Sequence, residues 1–149
     1  MILIAHRGNT EGRMPNLENN PEYIDKAIKE GFSVEIDLRS HNGKLYLGHD
    51  APQYEISMSW LKDRMLWLWI HCKDRESLET ALKSNLHCFW HDTDDYTITS
   101  RGYVWAYPGI APAGPLCIMV MPEHHWNLSD VAEIKPFGVC SDYVKQLKA

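Results

Sequence analysis

Strict alternation of apolar and polar residues is the clearest signal along the chain. From Phe32 to Arg39, Val34, Ile36 and Leu38 fall on one side, and Glu35, Asp37 and Arg39 on the other. This period of two predicts a strand with one apolar face. The same parity returns over Leu66 to Lys73, with Leu68, Ile70 and Cys72 opposed to Trp67, Trp69, His71 and Lys73. Shorter apolar runs at 2–5, 87–91, 116–121 and 138–141 read as further strands. Asn42-Gly43 marks a turn, after which Lys44 to Gly48 returns as a short strand. Segments 96–99 and 103–107 flank Ser100-Arg101-Gly102 as a hairpin. Helical spacing covers Pro21 to Glu30, where Tyr23, Ile24, Ala27 and Ile28 share a face, Pro21 suits the first turn and Gly31 the stop. Residues 57–65 and 76–84 read as helices, and shorter ones start at Ser129 and Asp142. Residues 9–20, rich in Asn, Glu, Gly and Pro, read as a loop.

Strands interleaved with helices predict an α/β fold, and no linker or repeat divides it, so residues 1–149 are taken as a single domain. In a sheet closed into a barrel under an outer helical layer, the aliphatic sets would meet the helices. The charged sets would then point into the barrel mouth. The gaps from His91 to Tyr103 and from Tyr107 to Leu116 are too short for full crossover helices. The second half of such a barrel would be reduced or irregular. Late strands left without helices would expose Val104, Leu116, Ile118 and Val120, and an apolar patch of that kind predicts a homodimer.

Apolar residues make up 44% and charged residues 23%, which allows a core of useful size. The net charge of −5 and the lack of any basic run exclude a general nucleic-acid binder. A single phosphate remains within reach of one cation and two or three basic side chains. No run approaches the roughly 18 apolar residues that span a bilayer, and the apolar start, Met1 to Ala5, is short for a signal-peptide core and lacks a basic lead-in. No membrane insertion is therefore expected. Cys72, Cys88, Cys117 and Cys140 are widely spaced and read as buried thiols of a cytoplasmic protein.

Three segments carry ionisable side chains at or just past the end of a predicted strand: Ala5-His6-Arg7-Gly8, Val34-Glu35-Ile36-Asp37 and Gly48-His49-Asp50. In α/β barrels that end is where active sites lie. Two carboxylates two residues apart on a strand share a face, roughly 6–7 Å apart at Cα, within reach of one hard cation. Two histidines on separate loops suit a general acid and a general base. His71 is either a hydrogen-bonded lining histidine or a ligand, and Lys73 faces inward by parity.

Ile4-Ala5-His6-Arg7-Gly8, the pair Glu18-Asn19, Val34-Glu35-Ile36-Asp37 and His49-Asp50 together resemble, in order and spacing, the N-terminal signature of glycerophosphodiester phosphodiesterases. The likeness covers residues 3–50. Where that family continues Glu-Asn-Thr, this chain has Glu18-Asn19-Asn20. Where it has Glu-x-Lys on the next strand, this chain has His71-Cys72-Lys73, a softer donor beside a matching lysine. Phe137 to Tyr143 looks like the family's closing strand and turn, which implies a shortened whole rather than a fragment.

The resemblance implies a shortened or irregular TIM-type (β/α) barrel and a metal-dependent phosphodiester hydrolase acting on a glycerophosphodiester-like small molecule. It implies that Glu35 and Asp37 hold the cation, Mg²⁺ or Ca²⁺ with Mn²⁺ as a further candidate, helped by Glu18 from its loop; His71, at the place of the family's glutamate, is the other candidate to complete the ligands. Arg7 and Lys73 would contact the phosphate, and His6 and His49 would move protons. Two alternatives stand beside it: an enzyme of the same fold acting on a nucleotide-linked polyol or surface-glycan phosphodiester, and an inactive phosphate-binding module. Asp92-Thr93-Asp94-Asp95 and His124-His125 read as surface loops. Trp105 and Trp126 are candidates for a substrate mouth.

Overall fold

The computed structural model describes residues 1–107 and 115–148. Ten strands form one mixed sheet: β1 (Ile2–His6), β2 (Ser33–His41), β3 (Lys44–Leu47), β4 (Tyr54–Ile56), β5 (Leu68–Cys72), β6 (Cys88–Phe89), β7 (Tyr96–Ile98), β8 (Val104–Ala106), β9 (Cys117–Val120) and β10 (Gly138–Ser141). The α-helices are α1 (Pro21–Lys29), α2 (Met58–Asp63), α3 (Arg75–Lys83) and α4 (Leu128–Ile134), with 3₁₀ turns at Pro122–His124 and Val144–Leu147. Among these, β4 and the turn at Pro122–His124 carry no clear signal in the sequence.

Strands β6, β5, β2, β1, β10, β9 and β8 run parallel in that order. The hairpin β3–β4 extends antiparallel from the far end of β2, and β7 returns antiparallel on β8. The sheet is strongly curled. Trp105 on β8 lies 4.6 Å from Phe89 on β6 and 5.8 Å from Trp69 on β5, ring centre to ring centre, although β9, β10, β1 and β2 stand between β8 and β5 in the strand order.

The expected TIM-type (β/α) barrel, even in shortened form, is corrected by this architecture. A curled half-barrel of mixed strands, with four short helices among the described residues, replaces the regular alternation of strand and helix. The physical cause is visible after β6. A parallel crossover needs a dozen or more residues and normally a helix, but only residues 90–95 separate β6 from β7, and Asp92, Asp94 and Asp95 leave that segment no apolar face to pack. The chain turns back instead, and the backbone N–H of Ser100 donates to the carbonyl of Cys88 at 2.8 Å, tying the hairpin to β6.

Parity on the early strands is as the alternation predicts. Val34, Ile36, Leu38, Leu68, Ile70 and Cys72 pack outward against Ile24 and Ala27 of α1, Leu61 of α2 and Ala81 of α3. Burying each such aliphatic side chain stabilises the fold by about 1.5–3 kcal/mol. Asn20 caps α1 by accepting from the N–H groups of Glu22 and Tyr23, with Pro21 in the first turn. Asp74 caps α3 through the N–H of Ser77 at 2.7 Å and accepts from the N–H of Ser40 at 2.9 Å, pinning the helix to β2.

The late strands differ from expectation. Ile118 and Val120 point into the concave side, where they pack with Ile4, Trp69, Phe89, Trp105 and Cys140. Met119 and Val139 take the convex side beneath Val131 of α4. Of the residues on which a dimer face was expected, Leu116 is exposed, whereas Ile118 and Val120 are core. No helix among the described residues is long and apolar enough to cross a membrane.

Candidate active site

Parallel strands end together, so their carboxyl ends deliver side chains to one rim. His6 is the last residue of β1. Arg7 follows in a left-handed conformation, φ 53°, and its backbone N–H donates to the carbonyl of Glu35 at 2.9 Å. The reversal folds the arginine side chain back over β2. Its Nε lies 3.1 Å from Asp37 Oδ2, and its NH1 donates to Glu18 Oε1 at 3.0 Å.

Glu35 and Asp37 face the concave side of β2, 2% and 0% exposed. Asn19 grips Asp37 twice: its amide donates to Oδ2 at 2.8 Å, and its carbonyl accepts the Asp37 N–H at 2.9 Å. Asp37 Oδ1 is left buried, without a hydrogen-bond partner among the described residues. Opposite Asp37 in the β2–β5 register stands His71. Its Nδ1 is 3.6 Å from Asp37 Oδ1 and 3.8 Å from Glu35 Oε1, and its Nε2 donates to the carbonyl of His91 at 3.0 Å. Donor atoms of Glu35, Asp37 and His71 lie within 4.8 Å of one another. Glu18, also expected at the cation, lies outside this group among the described residues. It accepts instead from Arg7 and from Asn9 Nδ2, both at 3.0 Å.

His6 is held from behind. Its Nδ1 pairs with Asp142 Oδ1 at 2.8 Å, and its Nε2 lies 3.9 Å from Glu35 Oε2. Asn9 donates to the same Asp142 oxygen at 2.8 Å, and the Asp142 N–H donates to Glu123 Oε1 at 2.9 Å. His49 sits on the turn after β3, its side chain 41% exposed, with Nδ1 paired to Asp50 at 2.7 Å. Arg39 braces that turn by donating to the carbonyls of Gly48 and His49. His6, Arg7, Glu35, His49, His71 and Lys73 all line one cavity of about 480 Å³. Trp105, Tyr107, His124 and Asp92 line it as well, so two segments read as surface loops each contribute a wall residue. Trp126, the other tryptophan considered for the mouth, packs instead beside Met119 and Val131 on the convex side.

The charges explain one another. Burial, then the neighbouring Asp37, pushes the Glu35 carboxyl up to about 7. Burial also acts to raise Asp37, but Arg7, His71 and the Asn19 hydrogen bond outweigh it and hold that carboxyl below its ordinary value. Burial pushes His71 down to about 4, leaving the ring neutral. Burial opposes protonation of His6 too, yet the Asp142 hydrogen bond and Glu35 win and raise its pKa.

The sequence assigns no site role to Asp142, Asn9, Asn19 or His91, although each fixes a residue to which it does assign one. Asn19 carried a usable signal, since it adjoins Glu18 in the motif. Asp142 carried only its place after the closing strand. The chain was compared with family models, curated proteins and solved structures, and no match was found in any of the three.

Proposed function

We propose that this protein is a metal-dependent phosphodiesterase acting on a small, glycerophosphodiester-like substrate. One observation carries the reading: Glu35 and His71, which with the buried Asp37 bring two carboxylates and an imidazole together, line the same cavity as His6, His49, Arg7 and Lys73. The donor set fits a divalent cation. Asp37 Oδ1 has no hydrogen bond among the described residues, and two acidic oxygens and a neutral imidazole nitrogen are ordinary cation donors. Such a cation, when bound, polarises a phosphoryl oxygen and offsets charge that develops during displacement.

The chain's own residues divide the remaining work. Lys73 lines the cavity beside Glu35 and His71, where its ammonium can meet a phosphate oxygen. Arg7 keeps unused guanidinium donors beyond those taken by Glu18 and Asp37. Asp142 holds the proton on His6 Nδ1 and turns Nε2 toward the cavity, the arrangement a proton-transfer histidine needs. His49 stands more exposed, where it can exchange protons with solvent and with a leaving alcohol. The far wall of Trp105, Tyr107 and His124 favours a second reading, in which the leaving group is a larger phosphodiester alcohol such as a nucleotide-linked polyol. Cys72, Cys88, Cys117 and Cys140 are buried and stand in no disulfide among the described residues, which supports a cytoplasmic setting.

The test is hydrolysis of bis(p-nitrophenyl) phosphate by the full chain with added Mg²⁺, Mn²⁺ or Ca²⁺. The reading requires activity that a chelator abolishes and added metal restores. Hydrolysis indifferent to chelator, or equal in a Glu35→Ala protein, contradicts it.

A further inference from the structure

The carbonyl oxygen of His91 can only accept a hydrogen bond, so the proton of a neutral His71 ring sits on Nε2, which lies 3.0 Å away. Nδ1 then presents a lone pair. It points at Asp37 Oδ1, 3.6 Å distant, and at Glu35 Oε1, 3.8 Å distant. Asp37 Oδ1 is fully buried and has no donor among the described residues. Three electron-rich atoms therefore converge with no donor hydrogen bond to Asp37 Oδ1, an arrangement that costs free energy because that oxygen is buried. A cation at their centre removes the conflict.

The rest of the ring's surroundings fixes this pose. His71 stacks on Phe89 at 5.0 Å between ring centres and 17° between planes, which favours this orientation of the ring. A ligating imidazole whose other nitrogen donates to a backbone carbonyl is the usual outer support of a metal-bound histidine. The donor set is thus one imidazole and two carboxylates, rather than carboxylates alone.

We propose that His71 Nδ1 is a metal ligand and that it tunes this centre to a borderline transition cation such as Co²⁺ or Zn²⁺ over Mg²⁺ and Ca²⁺. The physical reason is softness: imidazole nitrogen suits borderline ions of this kind, whereas Mg²⁺ and Ca²⁺ take oxygen donors. The inference rests on the metal site of the proposed phosphodiesterase but concerns the ion and its ligand, not the reaction.

The experiment uses the full chain stripped with chelator and loaded with each ion alone. Binding of Mn²⁺, Co²⁺, Mg²⁺ and Ca²⁺ is measured by calorimetry. The Mn²⁺ protein is examined by pulsed electron paramagnetic resonance for coupling to imidazole nitrogen. Nitrogen coupling is expected in the native protein and is expected to vanish in His71→Glu. The same substitution should narrow the preference for Co²⁺ over Mg²⁺ by at least about tenfold, because an oxygen donor replaces nitrogen. Should His71→Glu fail to fold by circular dichroism, His71→Asn removes the ring without adding charge, and loss of the coupling is required there. Coupling that persists without His71, or an unchanged Co²⁺ to Mg²⁺ ratio, overturns the proposal. Nitrogen coupling with no cleavage of any diester would leave His71 a ligand and reject the phosphodiesterase instead. Cleavage supported by Mg²⁺ with no nitrogen coupling would do the reverse.

Discussion

The Asp142 carboxylate holds Nδ1 of His6 at 2.8 Å, joining the turn after the last strand to the end of the first. Parallel pairing of β1 with β10 makes the contact possible, since Ala5 sits opposite Ser141 in the register. Glu123 fixes the carboxylate's own backbone and Asn9 its oxygen. His6 is therefore oriented from three separate segments of the chain. If it transfers protons, His6→Ala should lower turnover by at least about 100-fold, and Asp142→Asn should also lower it while retaining the ring. Diester hydrolysis at saturating metal measures both, and near-native rates would show that the pair is structural. His49→Ala is expected to match His6→Ala.

Metal affinity should follow Glu35, Asp37 and their supports. Glu35→Gln and Asp37→Asn are expected to fold and to weaken Mn²⁺ binding by more than about 100-fold, beyond the effect of an outer partner. Asn19→Ala, which removes both hydrogen bonds to Asp37 and places alanine at a left-handed φ of 63°, should cost about 10–100-fold. Calorimetry on the three proteins checks the order; equal losses, or none, would contradict it.

Gly48 is a backbone requirement of the turn that presents His49. A Cβ there would lie 1.9 Å from the carbonyl oxygen of Ala51. The Gly48 N–H also donates to the carbonyl of Asp37 at 3.0 Å, so movement of this turn reaches the acidic strand. Gly48→Ala should destabilise the fold by about 1–3 kcal/mol and lower activity as well. Urea unfolding with an unchanged midpoint would show that the turn gives way freely.

His87 makes a prediction about acid. It is 4% exposed, paired through Nε2 with Thr99 Oγ1 at 2.8 Å and packed on Trp69. Burial, then the positive charge of Arg101, pushes its pKa down to about 4. The unfolded chain, with a histidine near pH 6.5, binds the extra proton first, so stability falls as pH drops from about 6.5 toward about 4. Thermal melts between about pH 7 and about pH 5 should show a smaller loss of Tm in His87→Gln than in the native protein. The difference between the two isolates His87 from the other histidines, and parallel curves would contradict the assignment.

The sequence was most legible where one face of a strand is buried against helices and the other carries charge. The parity of Glu35, Asp37 and His71 follows from that alternation alone, and the structure brings all three together. Cys117 to Val120 are buried at every position, so no alternation told which side faced inward, and Ile118 and Val120 were placed on the wrong face. Glu18 and Asn19 are neighbours in one motif, yet the turn aims the amide at Asp37 and the carboxylate at Arg7. Only the φ of 63° at Asn19 settles which residue faces the site. Asp142 is 136 residues from His6, and nothing local marks such a pairing. The barrel was misjudged because the resemblance covered strands whose crossovers are intact, whereas the short segment after β6 forces a hairpin.

The central claim is metal-dependent cleavage of a phosphodiester at this cavity. Its most direct test is phosphorus magnetic resonance of the metal-stripped full chain mixed with a panel of glycerophosphodiesters, followed by addition of Mn²⁺. The account predicts that the diester signal converts to a phosphomonoester only after the ion is added, and that Glu35→Gln leaves it unchanged. A diester signal that persists with Mn²⁺ demonstrably bound, or that decays equally in the Glu35→Gln protein, would contradict it.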